Sequence, residues 1–249
     1  MPRSELPPPL PPETRTVGQV VAEALRLYGA RFWPALALGI GPGLTGAALV
    51  ELPRSLVWAL VPTVGTALWA AAYVGACRLA LGVDGGGVGV AFAVAFVAFL
   101  PLIVQRVAVF PGFDLVTLAF FAFVGLGAPA ALVEQRRFRA ALRRGTRLAR
   151  ADYVHAFGSL AALVIVIFLS GLVLVLLLHG FGDQAVRAAA LIALVVLAPI
   201  FLLGAALLYA DQNARVIDSF PRPRRSRDAD VHPAFEPDGA GRSDAEVEP

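Results

Sequence analysis

The feature that most constrains the fold of this sequence is a series of long uncharged apolar stretches. Each is close to the roughly 20 residues that a helix needs to cross a bilayer. Hydrophobic residues make up 58% of the chain and charged residues only 16%, whereas soluble domains carry about 25% charged residues. We therefore predict an all-α polytopic membrane helix bundle. Six transmembrane helices are placed at 32–50, 55–77, 86–104, 112–133, 154–178 and 187–210.

The third and fourth spans share a stretch that needs a separate argument. Residues 86–133 contain only Gln105, Arg106 and Asp114 as strongly polar residues. The stretch is too long for one crossing at about 1.5 Å per residue. Pro111-Gly112 is a typical turn sequence, so we predict two crossings separated there.

Two further segments have the pattern of amphipathic helices. Before the first span, Arg15, Gln19, Glu23 and Arg26 share one helical face and valine, alanine and leucine side chains share the other. Before the fifth span, an arginine face, made of Arg136, Arg139, Arg143, Arg147 and Arg150, lies opposite Phe138, Ala141, Leu142, Gly145 and Leu148. This layout is typical of helices in the membrane interface. We therefore add two interfacial amphipathic helices to the predicted fold.

The distribution of arginine predicts the orientation. With six spans and a cytoplasmic N-terminus, the inner segments 1–31, 78–85, 134–153 and 211–249 hold 18 arginines, and the outer loops hold Arg54, Arg106 and Arg187. Positive residues accumulate on the cytoplasmic side of membrane proteins. We therefore predict a multi-pass protein of the bacterial inner (cytoplasmic) membrane with both termini cytoplasmic. A five-span arrangement would separate the arginine-rich segments.

Three regions follow from these patterns. Residues 1–14 are proline-rich and predict a disordered lead without the apolar core of a secretory signal, so we expect no cleavage. Residues 15–218 form the six-span membrane domain. Residues 219–249 predict a disordered cytoplasmic tail, whose arginines Arg222, Arg224, Arg225 and Arg227 lie close to the sixth span. The net charge of +3 gives no reason to expect a nucleic-acid partner.

The basic helix before the fifth span is the main candidate site. Guanidinium groups bind phosphate in bidentate fashion, and each basic side chain near an anionic leaflet contributes about 1 kcal/mol. Arg136, Arg139, Arg143, Arg147 and Arg150 are therefore candidates for contact with anionic lipid headgroups or phosphate ligands. The alternative is that these arginines only fix topology and anchor the helix at the interface.

Asp114 is a possible polar membrane site, because it is the acidic residue inside an apolar stretch and such carboxylates often handle protons or ions. A position in the first turn of the fourth span, however, favours a structural role. His179 and Asp183 lie four residues apart, but two intervening glycines interrupt the helix. A metal site needs three or four convergent ligands, so we predict no metal and no cofactor.

Further residue pairs lie near the ends of the predicted spans. His155 and Ser159 lie one helical turn apart, which is insufficient for a catalytic triad, so we predict no catalytic residue. Asp211 and Arg215 suit an intrahelical ion pair, and Glu134 and Phe138 mark a similar exit from the membrane. Gly39, Gly43 and Gly46 with Ala47 form a small-residue strip suited to packing within the bundle or to self-association.

Three segments of the chain resemble a known family. They are TVGQVVAEALRLYGARFWPALALG at 16–39, the stretch from 131 to 164, and LLYADQNARV at 207–216. Together they are similar to the membrane domain of bacterial glycerophosphoryl diester phosphodiesterases and its stand-alone relatives. The resemblance implies a six-helix domain beside the catalytic barrel. This chain has no room for the barrel, so hydrolysis is not carried over, and GVDGGGVG at 82–89 replaces the amphipathic helix expected before the third span.

The sequence therefore predicts a non-catalytic integral membrane protein. We expect its partners to be the lipid bilayer and anionic lipid headgroups, with a membrane protein or a second copy as a further possible partner. The first alternative is a small-molecule or ion transporter or channel, which would need polar residues lining a pathway. The second is a membrane-embedded lipid enzyme, which would require acidic residues and His155 to converge at one leaflet.

Overall fold

The computed structural model describes residues 15–108 and 112–218, and within these ranges the chain is helical, with no strand. The predicted lead at 1–14, the proline of the predicted turn at 111, and the predicted tail at 219–249 lie outside the described residues. The helices are α1 (Val17–Ala30), α2 (Phe32–Ala37), α3 (Ile40–Glu51), α4 (Arg54–Leu60), α5 (Thr66–Leu81), α6 (Val88–Ala108), α7 (Phe113–Val124), α8 (Gly127–Val133), α9 (Phe138–Ala151), α10 (Tyr153–Leu178) and α11 (Asp183–Asp218).

Six segments of the described chain are long and apolar enough to cross a membrane. They are Phe32–Glu51, Arg54–Leu81, Val88–Ala108, Phe113–Val133, Tyr153–Phe181 and Asp183–Ile217. The predicted all-α bundle with six transmembrane helices is therefore confirmed. The sixth segment differs most from its predicted bounds. Its helix begins four residues before 187 and continues past 210 to Asp218, because the polar residues after Ala210 are held by other helices.

Three of the spans are interrupted. The first is divided at Leu38-Gly39, the fourth is divided at Gly125-Leu126, and the second contains a π-helical turn at Val61–Gly65. Proline lacks the backbone donor that an α-helix needs, and Pro62 lies within that turn. The Thr63 hydroxyl donates to the Ala59 carbonyl oxygen at 3.0 Å, so a neighbouring side chain supplies a donor in this turn.

The contacts at the span ends show which ends lie together. The start of the first span meets the end of the second, since Arg31 Nη1 donates to the Leu79 carbonyl oxygen at 3.1 Å. The start of the fifth span meets the end of the sixth, since Arg215 Nη1 lies 3.0 Å from Asp152 Oδ2. A Cβ on Gly87, at the start of the third span, would lie 2.6 Å from the Ala131 carbonyl oxygen near the end of the fourth. We call this side of the bundle the arginine-rich end.

The opposite end is defined by two further pairs. Arg106 Nη2 lies 3.2 Å from Asp114 Oδ1, and Arg187 Nη1 lies 3.8 Å from Glu51 Oε1. The arginines predicted to lie in outer loops, Arg54 among them, therefore belong to this end. The basic segments predicted to share one side, α1, the end of α5, α9 and the end of α11, all lie at the arginine-rich end.

The two amphipathic helices pack with their apolar faces on the protein. α1 buries Val20 and Ala24, and α9 buries Ala141, Gly145, Leu148 and Ala149. α9 lies directly on the start of α8, where a Cβ on Gly145 would be 2.5 Å from the Gly127 nitrogen. The interfacial pattern predicted that the apolar face would rest in the leaflet. In α9 the bundle covers that face, and the arginine face is the one that remains exposed.

The small-residue strip of the first span packs inside the bundle. A Cβ on Gly39 would overlap the Val195 carbonyl oxygen of α11, and a Cβ on Gly43 would overlap the Val195 side chain. A Cβ on Gly46 would lie 2.5 Å from Leu194 Cδ2. Close helix approach through small residues is common in lipid. Of the two interpretations of the strip, these contacts support packing within the bundle.

An aromatic cluster fills the centre of the bundle. The rings of Phe99 and Phe121 have centroids 4.8 Å apart, and Tyr73 lies within 5.7 Å of both. The Tyr73 hydroxyl donates to the Gly125 carbonyl oxygen at 3.3 Å. Because the fourth span is divided at Gly125, this buried hydroxyl and a carbonyl at the helix break satisfy each other.

Candidate functional site

Arginine side chains line a cavity of about 400 Å³ on the arginine-rich end. The lining residues are Arg136, Arg137, Arg139, Ala140, Arg143, Arg144 and Arg147, which we call the arginine groove. The groove follows one face of α9, because residues four apart on a helix lie above one another. Its lining contains no acidic residue.

Most of the predicted site residues belong to the groove. Arg136, Arg139, Arg143 and Arg147 line it, whereas Arg150 is exposed but is not part of the lining. The structure adds Arg137 and Arg144, which lie on the flank of the basic face in a helical projection of the sequence. They reach the groove because Arg137 precedes α9 as its N-cap residue and because Arg144 turns toward Glu134 and α11.

Glu134 fixes one edge of the groove. Its Oε1 accepts hydrogen bonds from Arg144 Nε at 2.8 Å and from the Tyr209 hydroxyl at 3.1 Å. Its Oε2 accepts a hydrogen bond from Arg136 Nε, and Arg144 Nη2 donates to Asn213 Oδ1 at 2.7 Å. The sequence pattern identified Glu134 only as the exit from a span. The carboxylate instead ties α9 to the last turns of α11.

The same contacts determine the ionisation of Glu134. Burial by itself raises the pKa of this carboxyl, but the hydrogen bonds from Arg144 and Arg136 and the charge of Arg144 outweigh burial. The pKa of Glu134 therefore lies below its ordinary value of 4.5. Stabilisation from the ionised form is fully present above pH 4.5 and is lost as the pH falls through the lowered pKa.

We therefore expect acid to remove the contribution of Glu134 to stability. In unfolding experiments on the purified protein in detergent, wild type should be more stable than Glu134→Gln at neutral pH. The difference should shrink as the pH falls below 4.5, because the unfolded chain then binds a proton that the folded protein initially excludes. A difference between the two proteins that is independent of pH would contradict this assignment.

A second polar network lies beside the groove, where α10 begins and α11 ends. His155 Nε2 lies 2.8 Å from Asp211 Oδ2 and 3.2 Å from Arg215 Nη2. Arg215 Nη1 donates to Asp152 Oδ2 at 3.0 Å, and its Nη2 donates to the Arg15 carbonyl oxygen at 2.7 Å. Asp211 is fully buried. This network joins α10, α11 and the backbone of Arg15, two residues before α1.

The network changes the interpretation of the pair Asp211 and Arg215. The intrahelical contact exists, with Arg215 Nη2 3.6 Å from Asp211 Oδ2, but the contacts of Arg215 with Asp152 and with the Arg15 backbone are shorter. The pair is therefore not a simple interface anchor. Sequence reasoning missed this because helical spacing shows neighbours within α11 only. The sequence did contain one signal for this network, which is the run of polar residues from Tyr209 to Arg215 at the end of an apolar helix.

Ser159 does not complete a triad with this network. The His155 nitrogen that faces Asp211 also faces Arg215. The Ser159 hydroxyl is fully buried and has no hydrogen-bond partner among the described residues. The Asp152 carboxylate accepts a hydrogen bond from the His155 backbone nitrogen at 3.1 Å, so it serves as the N-cap of α10.

The remaining candidates lie at the opposite end. Asp114 is exposed in the first turn of α7 and pairs with Arg106. His179 lies in a short 3-10 turn, and Asp183 lies in the first turn of α11. Among the described residues, no group of three His, Cys, Asp or Glu side chains could hold a metal ion. The opposite end therefore presents isolated surface pairs, whereas the polar networks are concentrated at the arginine-rich end.

Together, the fold and these sites define a multi-pass helical membrane protein with an arginine-lined groove at one end. Comparisons of the chain with protein-family models, with curated proteins and with solved structures find no match. The groove and the buried network are therefore interpreted from their own geometry.

Proposed function

We propose that this chain is a non-catalytic integral membrane protein whose arginine groove binds the phosphate groups of anionic lipids. The observation that carries the proposal is the convergence of six arginines on one cavity whose lining has no acidic residue. Guanidinium groups form strong, bidentate hydrogen bonds with phosphate. Basic pockets at the cytoplasmic side of membrane helices bind such headgroups.

Charge pairing within the groove supports a ligand in addition to topology control. Arg136 and Arg144 both pair with Glu134, whose single negative charge compensates one of these two arginines. Arg137, Arg139 and Arg143 are exposed and, like Arg147, form no ion pair with a carboxylate of the described chain. Like charges held together on one helix repel one another, so a bound anion would stabilise the groove.

The position of the groove relative to the membrane supports a lipid as the ligand. The fourth span ends at Val133 and the fifth begins at Tyr153, so both ends of the basic segment are attached directly to membrane helices. We place the arginine-rich end on the cytoplasmic side of a bacterial inner membrane, because positive residues accumulate there. Anionic headgroups of that leaflet would then lie at the level of α9.

A triple substitution tests the proposal. In Arg139→Gln/Arg143→Gln/Arg147→Gln, binding of phosphatidylglycerol to the purified chain should weaken by roughly 100-fold, since each basic residue contributes about 1 kcal/mol. Native mass spectrometry in detergent measures the bound lipid. The matched control is Arg54→Gln/Arg106→Gln/Arg187→Gln, which removes the same charge from the opposite end and should bind like wild type. Equal binding by both triple variants would refute the proposal.

An accessory role beside a membrane partner belongs to the same proposal. Its support is the resemblance of residues 16–39, 131–164 and 207–216 to the membrane domain of glycerophosphoryl diester phosphodiesterases. In that family the domain accompanies a catalytic barrel. The genes that neighbour this one would test the role, because an accessory domain is expected beside the gene of its partner.

A membrane-embedded lipid enzyme is the second candidate, favoured by the convergence of His155, Asp152 and Asp211 near the groove. The first candidate is better supported because Arg215 contacts all three of these side chains and because Asp211 is fully buried. Turnover of a phospholipid by the purified protein, lost in His155→Ala, would favour the enzyme. A transporter receives less support, since Asp211 is the one charged side chain among the buried polar residues of the described spans.

A further inference from the structure

We infer that the arginine groove selects a lipid carrying two phosphate groups on one molecule over lipids carrying one. This inference rests on the proposed function, since it names the class of lipid that the same groove would bind. Three features of the groove carry it: the spacing of its arginines, the number of guanidinium groups without a carboxylate partner, and the contacts that hold α9 in place.

The arginines are spread over a distance that a single phosphate cannot cover. Arg139, Arg143 and Arg147 succeed one another at intervals of four residues on α9. At about 1.5 Å per residue, each step is roughly 6 Å along the axis and the outer two are roughly 12 Å apart. A phosphodiester has two unesterified oxygens, which one bidentate guanidinium engages. Two phosphates on one lipid molecule would engage two arginines that succeed one another along α9.

The charge of the groove also exceeds that of one phosphodiester. At one edge Glu134 pairs with Arg136 and Arg144, and its single negative charge compensates one of these two arginines. Arg137, Arg139, Arg143 and Arg147 form no ion pair with a carboxylate of the described residues. A lipid with a single phosphodiester carries one negative charge, so most of this charge would remain uncompensated. A lipid with two phosphates neutralises at least two of these four arginines.

The geometry of the groove is held before any ligand binds. Arg144, at one edge of the groove, is fixed by Glu134 at 2.8 Å and by Asn213 at 2.7 Å. The opposite face of α9 is fixed by the backbone approach of Gly145 to Gly127. Because α9 is held in this way, it cannot rotate freely to bring all its arginines onto one phosphate. The spacing of the arginines therefore favours a lipid with two phosphates.

A direct comparison of lipids tests the inference. The full chain in phosphatidylcholine nanodiscs is titrated with cardiolipin, which has two phosphates, and with phosphatidylglycerol, which has one, at equal total phosphate. Inorganic diphosphate is the third probe and tests whether a free anion suffices. We expect cardiolipin to bind at least about tenfold more tightly than phosphatidylglycerol, because one additional engaged arginine pair contributes about 1 to 2 kcal/mol. We expect inorganic diphosphate to bind more weakly than cardiolipin.

Variants locate the selectivity in the groove. Arg139→Gln/Arg147→Gln removes the two outer arginines and should reduce the ratio of the two lipid affinities to about one. Arg54→Gln/Arg187→Gln, at the opposite end, should leave the ratio unchanged. Equal affinities for the two lipids, both above that for phosphatidylcholine, would overturn the inference and leave the proposed function standing. Anionic lipids that bind no better than phosphatidylcholine would overturn both. Inorganic diphosphate binding as tightly as cardiolipin would overturn the assignment of a lipid.

Discussion

Alanine at Gly39 is expected to destabilise the bundle by about 3 kcal/mol or more, although it adds a single methyl group. The new Cβ would overlap the Val195 carbonyl oxygen of α11, and backbone atoms cannot move aside as a side chain tip can. The first and sixth spans would have to separate, and overpacking of this kind costs about 1–3 kcal/mol even where side chains can adjust. Unfolding of the purified protein in detergent measures the loss.

Gly29→Ala is the matched control for Gly39→Ala. Gly29 lies within α1, and a Cβ there would meet no atom within 4 Å. This substitution should leave stability unchanged or raise it by at most about 1 kcal/mol through helix propensity. If Gly39→Ala is as stable as wild type but abolishes crosslinked dimers, the small-residue strip serves self-association and the interpretation of internal packing is wrong.

Asp211→Asn is expected to cost about 3–5 kcal/mol, because it removes one charge from a buried, mutually paired group. Asp211 is fully buried and faces His155 and Arg215, whose side chains are 11% and 23% exposed. The amide retains the size of the carboxylate but not its charge, so Arg215 would lose part of its compensation. The thermal transition of the purified protein should fall substantially, and the attachment of the chain at Arg15 should weaken with it.

Asp114→Asn is the control for the buried network. This carboxylate also pairs with an arginine, Arg106, at 3.2 Å, but both side chains are more than half exposed. Exposed ion pairs contribute about 0–1 kcal/mol, so the same chemical change should have little effect there. Comparable losses in Asp211→Asn and Asp114→Asn would show that burial does not decide the energetics of these pairs.

The sequence was sufficient for the features that depend on hydrophobic runs and helical period. Long apolar stretches require helices in a bilayer because every backbone group must be satisfied within the segment. The six spans and the basic face of α9 were predicted from these two features of the sequence. The contact of the divided fourth span with the Tyr73 hydroxyl was not predicted, because Tyr73 and Gly125 lie 52 residues apart in sequence.

The site was only partly predictable, for a related reason. The four-residue spacing of Arg139, Arg143 and Arg147 places them on one face whatever their surroundings. Glu134 and Asn213 were not predicted as partners of Arg144, because their contacts cross from one helix to another. The sequence also did not determine whether lipid or protein would cover the apolar face of α9, since an amphipathic pattern is the same in both cases.

The length of α11 has a consequence for the parts of the chain beyond the bilayer. Its 36 residues extend over roughly 54 Å, whereas the hydrocarbon layer is about 30 Å thick. Part of the helix therefore extends beyond the hydrocarbon layer. In this part of α11, Asn213 contacts Arg144 of α9, and Arg215 contacts the backbone of Arg15, two residues before α1. Shortening α11 after Gln212 would remove one hydrogen-bonded contact from each peripheral helix at once, so the same segment of α11 helps to position both.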